Sequence, residues 1–175
     1  MQILEIYQRE ADSFAGIEAM LEGQVFHVTR RAYWRSIVEA GGVLPNADGR
    51  LPTTFGSSSN SYFKNRGCVS VFDYREVADE TIEDYRSRCS PLQPARGENE
   101  GISIIFFKAS IYEKLIPWTK WKEDNALREM VVPHGEAGHP GPIALSEVER
   151  VVHLKVTEDP TSLASRLRHA RKRAG

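Results

Sequence analysis

The stretch VFHVTRRAYWRSIVEAGG, residues 25–42, decides the fold. Its opening, Val25–Thr29, is rich in β-branched and aromatic residues, which is typical of a strand. The following segment, Arg31–Gly42, ends in a glycine pair of the kind that terminates helices. The apolar residues of this segment fall on one helical face; they are Trp34, Ile37 and Val38. The stretch therefore predicts a strand, a helix and a glycine stop.

Four further apolar runs predict strands along the rest of the chain. They are Cys68–Arg75, Ile102–Ala109, Leu127–Pro133 and Ser146–Val156. The second of these runs is the most apolar, and we expect it to be the most buried. Helix-compatible segments and loops separate the runs, and two-residue hairpins are rare among them. This order predicts an α+β fold in one domain, with a mixed, mainly antiparallel sheet flanked by helices.

Helical spacing of apolar residues and the presence of capping residues predict helices between the strands. The predicted segments are residues 1–22, a short capped helix within Ser59–Gly67, a solvated helix over Glu76–Arg88, and a helix from Ser110 that Pro117 ends. The long irregular stretch Leu44–Asn60 is typical of a binding or lid loop. The segment HGEAGHPG, residues 134–141, is predicted to be a turn-rich loop.

Composition and charge exclude several classes of protein. The chain has 175 residues, and its 23 Lys and Arg balance 24 Asp and Glu to a net charge of −1, which excludes a uniformly basic nucleic-acid binder. No secretory signal is visible, and the longest apolar run, Ile104–Phe107, is far shorter than the roughly 20 residues of a membrane span. We therefore expect a cytoplasmic protein without membrane contact. Cys68 and Cys89 are too few for a disulfide framework and are expected to be buried thiols.

Positive charge is concentrated at the end of the chain. We interpret residues 157–175 as a basic C-terminal helix or tail, after an N-terminal helical segment at 1–24 and a central domain at 25–156. The final segment contains five of the 23 cations: Arg166, Arg168, Arg171, Lys172 and Arg173. It is either a solvated tail or an electrostatic contact for a phosphate backbone or an acidic partner.

The sequence contains no phosphate loop and no GxGxxG, GxSxG or HExxH motif, so candidate site residues are isolated polar groups in apolar surroundings. His27 and Thr29 lie two residues apart in a predicted strand, which places both side chains on one face. They present paired hydrogen-bonding groups to a ligand, unless His27 is a buried histidine satisfied by backbone. Glu129 lies in a predicted buried strand, where a carboxylate must be solvated at the edge or paired.

Two further groups of residues are candidates. Tyr62, Phe63 and Arg66 combine aromatic rings with a cation, which suits stacking on a base or a nicotinamide ring but equally suits ordinary core beside a surface arginine. The second group, His134, Glu136 and His139, has the side-chain types of a zinc site. Because its segment is too rich in glycine and proline to align ligands on a helix, we expect no metal and interpret it as a loop that shapes a pocket.

The order of these features resembles the ADP-ribosyltransferase fold, in the branch of RNA 2′-phosphotransferases and DarT-type toxins that act on DNA. That branch opens with a strand bearing His-x-Thr, a helix with a buried Ile, and a glycine stop. The matching residues are His27, Thr29, Ile37, Gly41 and Gly42. The resemblance continues through YFKNRGCVSVFDYR and EMVVPHGEAGHPGPIALSEVERVVHL and covers about residues 25–156.

The resemblance implies a split-sheet ADP-ribosyltransferase-like domain that uses NAD as its substrate. It implies that His27, with Thr29 beside it, contacts a ribose of NAD and that Glu129 holds a ribose hydroxyl and stabilises an oxocarbenium-like transition state. A fixed carboxylate opposite a sugar cation is also sound electrostatics. Glu136 remains the alternative carboxylate. The other implied roles are an aromatic on the nicotinamide from Tyr33, Tyr62 or Phe63, a phosphate-binding cation at Arg66, and an acceptor loop containing His134, Glu136 and His139.

Three functions follow as expectations. The favoured one is NAD-dependent ADP-ribosyl transfer to a nucleic acid or protein, as in a bacterial toxin or defence effector. The second is transfer of an RNA 2′-phosphate to NAD, which requires several converging arginines; those available are Arg30, Arg31, Arg50 and Arg66. The third is a catalytically inactive module that binds a nucleotide or a partner, in which the face shared by His27 and Glu129 is filled by side chains.

Overall fold

The computed structural model describes residues 1–9, 14–55, 59–76, 89–96 and 101–157. Nine strands lie in these ranges: β1 (Gln2–Arg9), β2 (Val25–Arg30), β3 (Gly42–Val43), β4 (Cys68–Asp73), β5 (Ile102–Phe107), β6 (Ile116–Pro117), β7 (Glu136–Pro140), β8 (Ile143–Ala144) and β9 (Val148–Thr157). The α-helices of the same ranges are short: α1 (Ala15–Leu21), α2 (Trp34–Glu39), α3 (Tyr62–Asn65) and α4 (Lys120–Glu123). Single 3₁₀ turns or short 3₁₀ helices cover Arg31–Tyr33, Gln93–Arg96, Ala109–Lys114 and Leu145–Glu147.

Seven of the strands form one sheet in the order β1-β9-β5-β2-β4-β7-β6, and β3 pairs separately with β8. The β1–β9 pair is parallel, whereas the remaining strand pairs of the sheet are antiparallel. The predicted α+β class with a mixed, mainly antiparallel sheet is therefore confirmed. None of the helices in the described ranges is both long and apolar enough to cross a membrane.

The sheet is buried on both faces at its centre. All six residues of β5 are buried, as its composition predicts. Alternation along β5 sends Ile104 and Phe106 to one face, where they pack with Phe26 and with α1. Ile105 and Phe107 project to the other face, where the side chains of α2 lie against the core. The predicted strand–helix unit at residues 25–42 thus spans the two layers, with β2 in the sheet and α2 on the second face.

The N-terminal segment differs from its prediction. Residues 2–9 form strand β1 rather than the first half of a helix, and the helical prediction is correct only over Ala15–Leu21. Leu4 and Ile6 turn toward the core while Ile3 and Tyr7 are exposed, so the burial has a period of two residues. Parallel pairing with β9 outweighs the local helical spacing because it buries Leu4 and Ile6 against the same core as α1.

The segment 127–140 also differs from its prediction. The predicted strand Leu127–Pro133 is wrong, since its one β contact is a single bridge from Met130 to Ser61. The strand is β7, inside the segment predicted to be a loop. Position 138 of β7 requires a glycine because Phe63 leaves no room for a side chain there. A Cβ at this position would stand 2.2 Å from the Phe63 ring. The glycine therefore reflects a close approach of two elements and not a turn.

Other predictions have mixed outcomes. The short helix capped by Ser61 is confirmed as α3, with the Ser61 hydroxyl accepting from the backbone N–H of Lys64. The predicted helix from Ser110 is a 3₁₀ helix that ends at Lys114, before the short strand β6. Most of the predicted helix Glu76–Arg88 and almost all of the basic C-terminal segment lie outside the described residues.

The close approach at Gly138 generates a test. Gly138→Ala should lower the free energy of unfolding by about 1–3 kcal/mol, because the added methyl overlaps the Phe63 ring, which is fully buried and has no space to move. Gly16→Ala is the matched control: nothing lies within 4 Å of its Cβ position in α1, so this variant should be neutral or more stable by up to about 1 kcal/mol. Urea unfolding of both variants checks the contrast, and equal stabilities would contradict the packing at Gly138.

Candidate active site

A cavity of about 420 Å³ lies where the sheet opens between β2 and β4. These strands are paired at two positions only, Val25 with Asp73 and Phe26 with Phe72. Beyond them β2 stays paired with β5, and β4 stays paired with β7. The cavity is lined by residues from both separated strands, including His27 on β2 and Ser70 on β4. Its volume is in the range of small-molecule sites.

His27 spans the opening of the sheet. Its Nδ1 lies 2.9 Å from the carbonyl oxygen of Ser70. Because a carbonyl only accepts, Nδ1 carries the proton, and in the neutral ring Nε2 presents a lone pair. Burial lowers the pKa of His27, which favours this neutral form. Continued β2–β4 pairing would set Val28 opposite Ser70, so the imidazole takes the position of a missing ladder hydrogen bond.

Glu136 is the carboxylate of the cavity. It is the first residue of β7, and its Oε2 accepts a hydrogen bond of 2.8 Å from the backbone N–H of Val132. Ser70 lies diagonally across the β4–β7 pair from Glu136, and both residues line the cavity. Burial raises the pKa of Glu136, and hydrogen bonding from the Val132 backbone and the Ser70 side chain only partly offsets this effect. The group is therefore a poorly hydrated acid held in a fixed position.

The imidazole and the carboxylate meet at one residue. His27 contacts the main-chain oxygen of Ser70, and Glu136 lies at the diagonal position from Ser70 on the neighbouring strand. The two groups come from strands that lie on opposite sides of β4 in the sheet. Ser70 is a functional candidate that the sequence reasoning missed; its signal is a lone hydroxyl between Val69 and Val71 in an apolar strand.

Two further polar groups line the cavity. The Thr29 hydroxyl belongs to a residue that is 5% exposed, and within the described parts of the chain it makes no hydrogen bond. Lys64 lines the cavity beside Gly49, and its ammonium group forms no ion pair with any described residue. Sequence reasoning missed Lys64 because a lysine in a short helix is ordinarily a solvated surface residue.

The predicted loop Leu44–Asn60 supplies one wall of the cavity. Eight of its residues line it: Leu44, Pro45, Asn46, Leu51, Pro52, Thr53, Thr54 and Phe55. Asn46 clamps the loop, since its side-chain amide donates to the Leu51 carbonyl at 2.6 Å and its Oδ1 accepts from the Leu51 N–H at 2.8 Å. Leu44, Leu51 and Phe55 remain between 37 and 41% exposed, which leaves apolar surface for a ligand to cover.

Glu129 and Arg66, which the resemblance implies as catalytic, form a separate cluster that does not line the cavity. Glu129 Oε2 lies 2.5 Å from Arg66 Nη1, and its Oε1 accepts from Asn65 Nδ2 at 3.0 Å. These two donors lower the pKa of Glu129. The Arg66 guanidinium also stacks on the Tyr62 ring, 3.6 Å from its centroid. The pair ties α3 to the segment around residue 129.

The aromatic candidates also separate. Tyr62 and Phe63 are fully buried, away from the cavity lining. The Tyr62 hydroxyl donates to Asp124 at 2.7 Å, and burial, together with that hydrogen bond, raises the pKa of Tyr62 to about 12. Tyr33 alone of the three predicted aromatics lines the cavity, where Phe55 and Phe72 join it.

The three residues predicted for an acceptor loop occupy different environments. Glu136 lines the cavity, as described above. His134 is exposed and stacks on Trp118 at 4.3 Å between ring centroids. His139 is buried in β7 opposite Val69, with Nδ1 3.3 Å from the Gly141 carbonyl oxygen. Over the described ranges, no three His, Cys, Asp or Glu side chains converge as a metal site would require.

The contrasting environments of Glu136 and Glu129 give opposite pH dependences of stability. Burial raises the pKa of Glu136 in the folded state, so its ionisation destabilises the fold as the pH rises above about 4.5. Glu136→Gln removes this cost, and its melting temperature relative to wild type should increase between pH 4 and pH 8. Each kcal/mol corresponds to about 2–4 °C for a chain of this size.

Glu129→Gln is the control with the reverse sign. Asn65 and Arg66 lower the pKa of Glu129, so its ion pair stabilises the fold at neutral pH and is lost as the pH falls through the lowered pKa. This variant should melt below wild type at pH 8, and the gap should narrow toward pH 3. Thermal melts across the range check both signs; a Glu136→Gln difference independent of pH would contradict the buried carboxylate.

Comparison with known proteins adds no family to this geometry. The chain matches no family model, no curated protein and no solved structure. The chemistry of the cavity is therefore proposed from its own residues together with the resemblance noted in the sequence.

Proposed function

We propose that the protein is an NAD-dependent ADP-ribosyltransferase with a split-sheet, ADP-ribosyltransferase-like fold, and that Glu136 is its active carboxylate. The observation that carries this proposal is the placement of Glu136 and a neutral His27 on the two sides of Ser70, in an open cavity at the separation of β2 and β4. The resemblance asks for a carboxylate at the start of a late strand, and Glu136 is the first residue of β7.

The chemistry suits a partly dehydrated carboxylate. Cleavage of the bond between ribose C1′ and the nicotinamide nitrogen sends the bonding electron pair to neutral nicotinamide and leaves positive charge on the sugar. Glu136 stabilises that charge, and poor hydration strengthens the interaction. The acceptor then forms the new bond to C1′ and releases its proton to solvent.

The other cavity residues support the binding of NAD. His27 offers its Nε2 lone pair to a ribose hydroxyl, and the Thr29 hydroxyl beside it is without a partner among the described residues. Tyr33 is the aromatic that packs on the nicotinamide ring. Lys64 takes the phosphate-binding role that the resemblance gives to Arg66, since it is the one Lys or Arg among the described lining residues.

Two alternatives fit the geometry less well. RNA 2′-phosphate transfer needs converging arginines, and none of the four candidates lines the cavity. Arg31 pairs with Glu5 at 2.6 Å and Arg50 with Asp48 at 3.1 Å, while Arg66 is held by Glu129. An inactive binding module predicts a filled face at His27, whereas that face borders an open cavity. The acceptor remains a nucleic acid or a protein.

Release of nicotinamide tests the proposal. With NAD and DNA, RNA or cell lysate as acceptors, Glu136→Gln should slow release at least about a hundredfold, because the charge opposite the sugar cation is lost. Glu129→Gln, which alters a carboxylate outside the cavity, should retain release close to wild type. Loss in Glu129→Gln with retention in Glu136→Gln would transfer the role to Glu129. Absence of release with every acceptor would favour the binding module.

A further inference from the structure

Ser70 is placed to reach two neighbours at once. It lies opposite Gly138 of β7, so no side chain shares its position on the neighbouring strand. Glu136 lies two residues before Gly138 on the same face of β7, at the diagonal position from which a long side chain reaches across an antiparallel pair. On its other side, the main-chain oxygen of Ser70 faces the opening toward β2, where it meets His27.

We propose that Ser70 is the positioning residue of this site: its carbonyl oxygen fixes the His27 imidazole, and its hydroxyl holds the Glu136 carboxylate, so that the two groups keep one spacing. The catalytic meaning of this role rests on the proposed function. The contact of Ser70 with His27 and its register position beside Glu136 do not depend on that function.

The two contacts act on different properties of the site. The carbonyl contact selects the His27 tautomer with the proton on Nδ1, which leaves Nε2 as the acceptor. The hydroxyl donates to the charged form of Glu136 and thus opposes the effect of burial on that carboxyl. A hydrogen bond to a buried ionised group is among the stronger ones in proteins. Ser70 therefore favours the ionised carboxylate without touching the reacting sugar.

The test separates the hydroxyl from the carbonyl. Ser70→Ala removes the hydroxyl and keeps the main-chain contact with His27, and Ser70→Thr restores a hydroxyl on a side chain that suits a strand. Ser36→Ala removes another hydroxyl-bearing side chain from the cavity lining and is the control for the titration. Carbon-13 NMR of the Glu136 side-chain carboxyl, assigned by its loss in Glu136→Gln, measures its titration in the full chain without NAD or an acceptor.

We expect Ser70→Ala to increase the proton affinity of the Glu136 carboxylate about tenfold, while Ser70→Thr and Ser36→Ala titrate as wild type does. Nicotinamide release should be measured in parallel. As the pH is lowered, Ser70→Ala should lose activity at a correspondingly higher pH than wild type, with a fall in kcat and little change in the KM for NAD. Wild-type titration of Glu136 in Ser70→Ala would overturn the positioning role.

The failures are distinguishable. Suppose that neither wild type nor any variant releases nicotinamide but Ser70→Ala still shifts the titration of Glu136. The positioning role of Ser70 then stands and the transferase proposal fails. If release depends on Glu136 and Ser70→Ala changes neither its pH profile nor the titration, the transferase proposal stands and the role of Ser70 falls. If Ser70→Ala fails to fold, Ser70→Thr and Ser70→Cys replace it in the comparison, because a thiol is a poor hydrogen-bond donor. Equal titrations of Glu136 in these two variants would overturn the positioning role.

Discussion

The separation of β2 from β4 after two residue pairs is the constraint on which the site depends. A sheet that stops pairing exposes backbone groups, and a buried carbonyl without a partner costs about 1–3 kcal/mol. The imidazole of His27 meets this cost at Ser70 by donating from Nδ1. One side chain thus both satisfies the open strand and lines the cavity. At the opening, Ser70 keeps a partner in His27, β2 stays paired with β5, and β4 stays paired with β7. The opening therefore persists in a sheet that is buried on both faces.

The two carboxylates near this region show why burial decides which of them is suited to chemistry. Glu129 is surrounded by donors that already neutralise it, so its charge is committed to Arg66 and Asn65. Glu136 is held by one backbone N–H and lies diagonally across from the Ser70 hydroxyl, and neither group carries a charge. Its negative charge is therefore uncompensated and poorly hydrated. Such a group destabilises the fold when ionised, and it is the arrangement that attracts a transient cation most strongly.

The sequence predicts four of the strands correctly and misassigns two others, β1 and β7. β2, β4, β5 and β9 are β-branched or aromatic runs, and their burial in the sheet agrees with their local preference. β1 was read as helix because its apolar residues fit both periods, and only pairing with the distant β9 decides between them. Gly138, Pro140 and the glycines around them resemble turn signals and predict a loop where β7 lies, whereas Gly138 is required by its close approach to Phe63.

The same limits apply to the site. His27 and Thr29 were identified from alternation within a single strand, and both line the cavity. The late carboxylate was assigned to Glu129 first, because the misplaced strand carried the wrong glutamate to the strand start. Lys64 has no signal of its own in the sequence, and the lone hydroxyl of Ser70 between two valines does not by itself indicate what it contacts. Their roles arise from how β4 and α3 sit against β7 and the loop at Gly49, which depends on contacts between residues far apart in the chain.

Helix α3 explains how the residues outside the cavity still serve it. Within this one turn Phe63 packs under β7, Lys64 lines the cavity, and Asn65 contacts Glu129. A four-residue helix has little stability of its own, so its orientation is set by such contacts. A partly exposed ion pair contributes at most about 1 kcal/mol, so the Arg66–Glu129 pair adds a small increment to the stability of this turn. Glu129 therefore stabilises the fold from outside the cavity, while Glu136 lies within it.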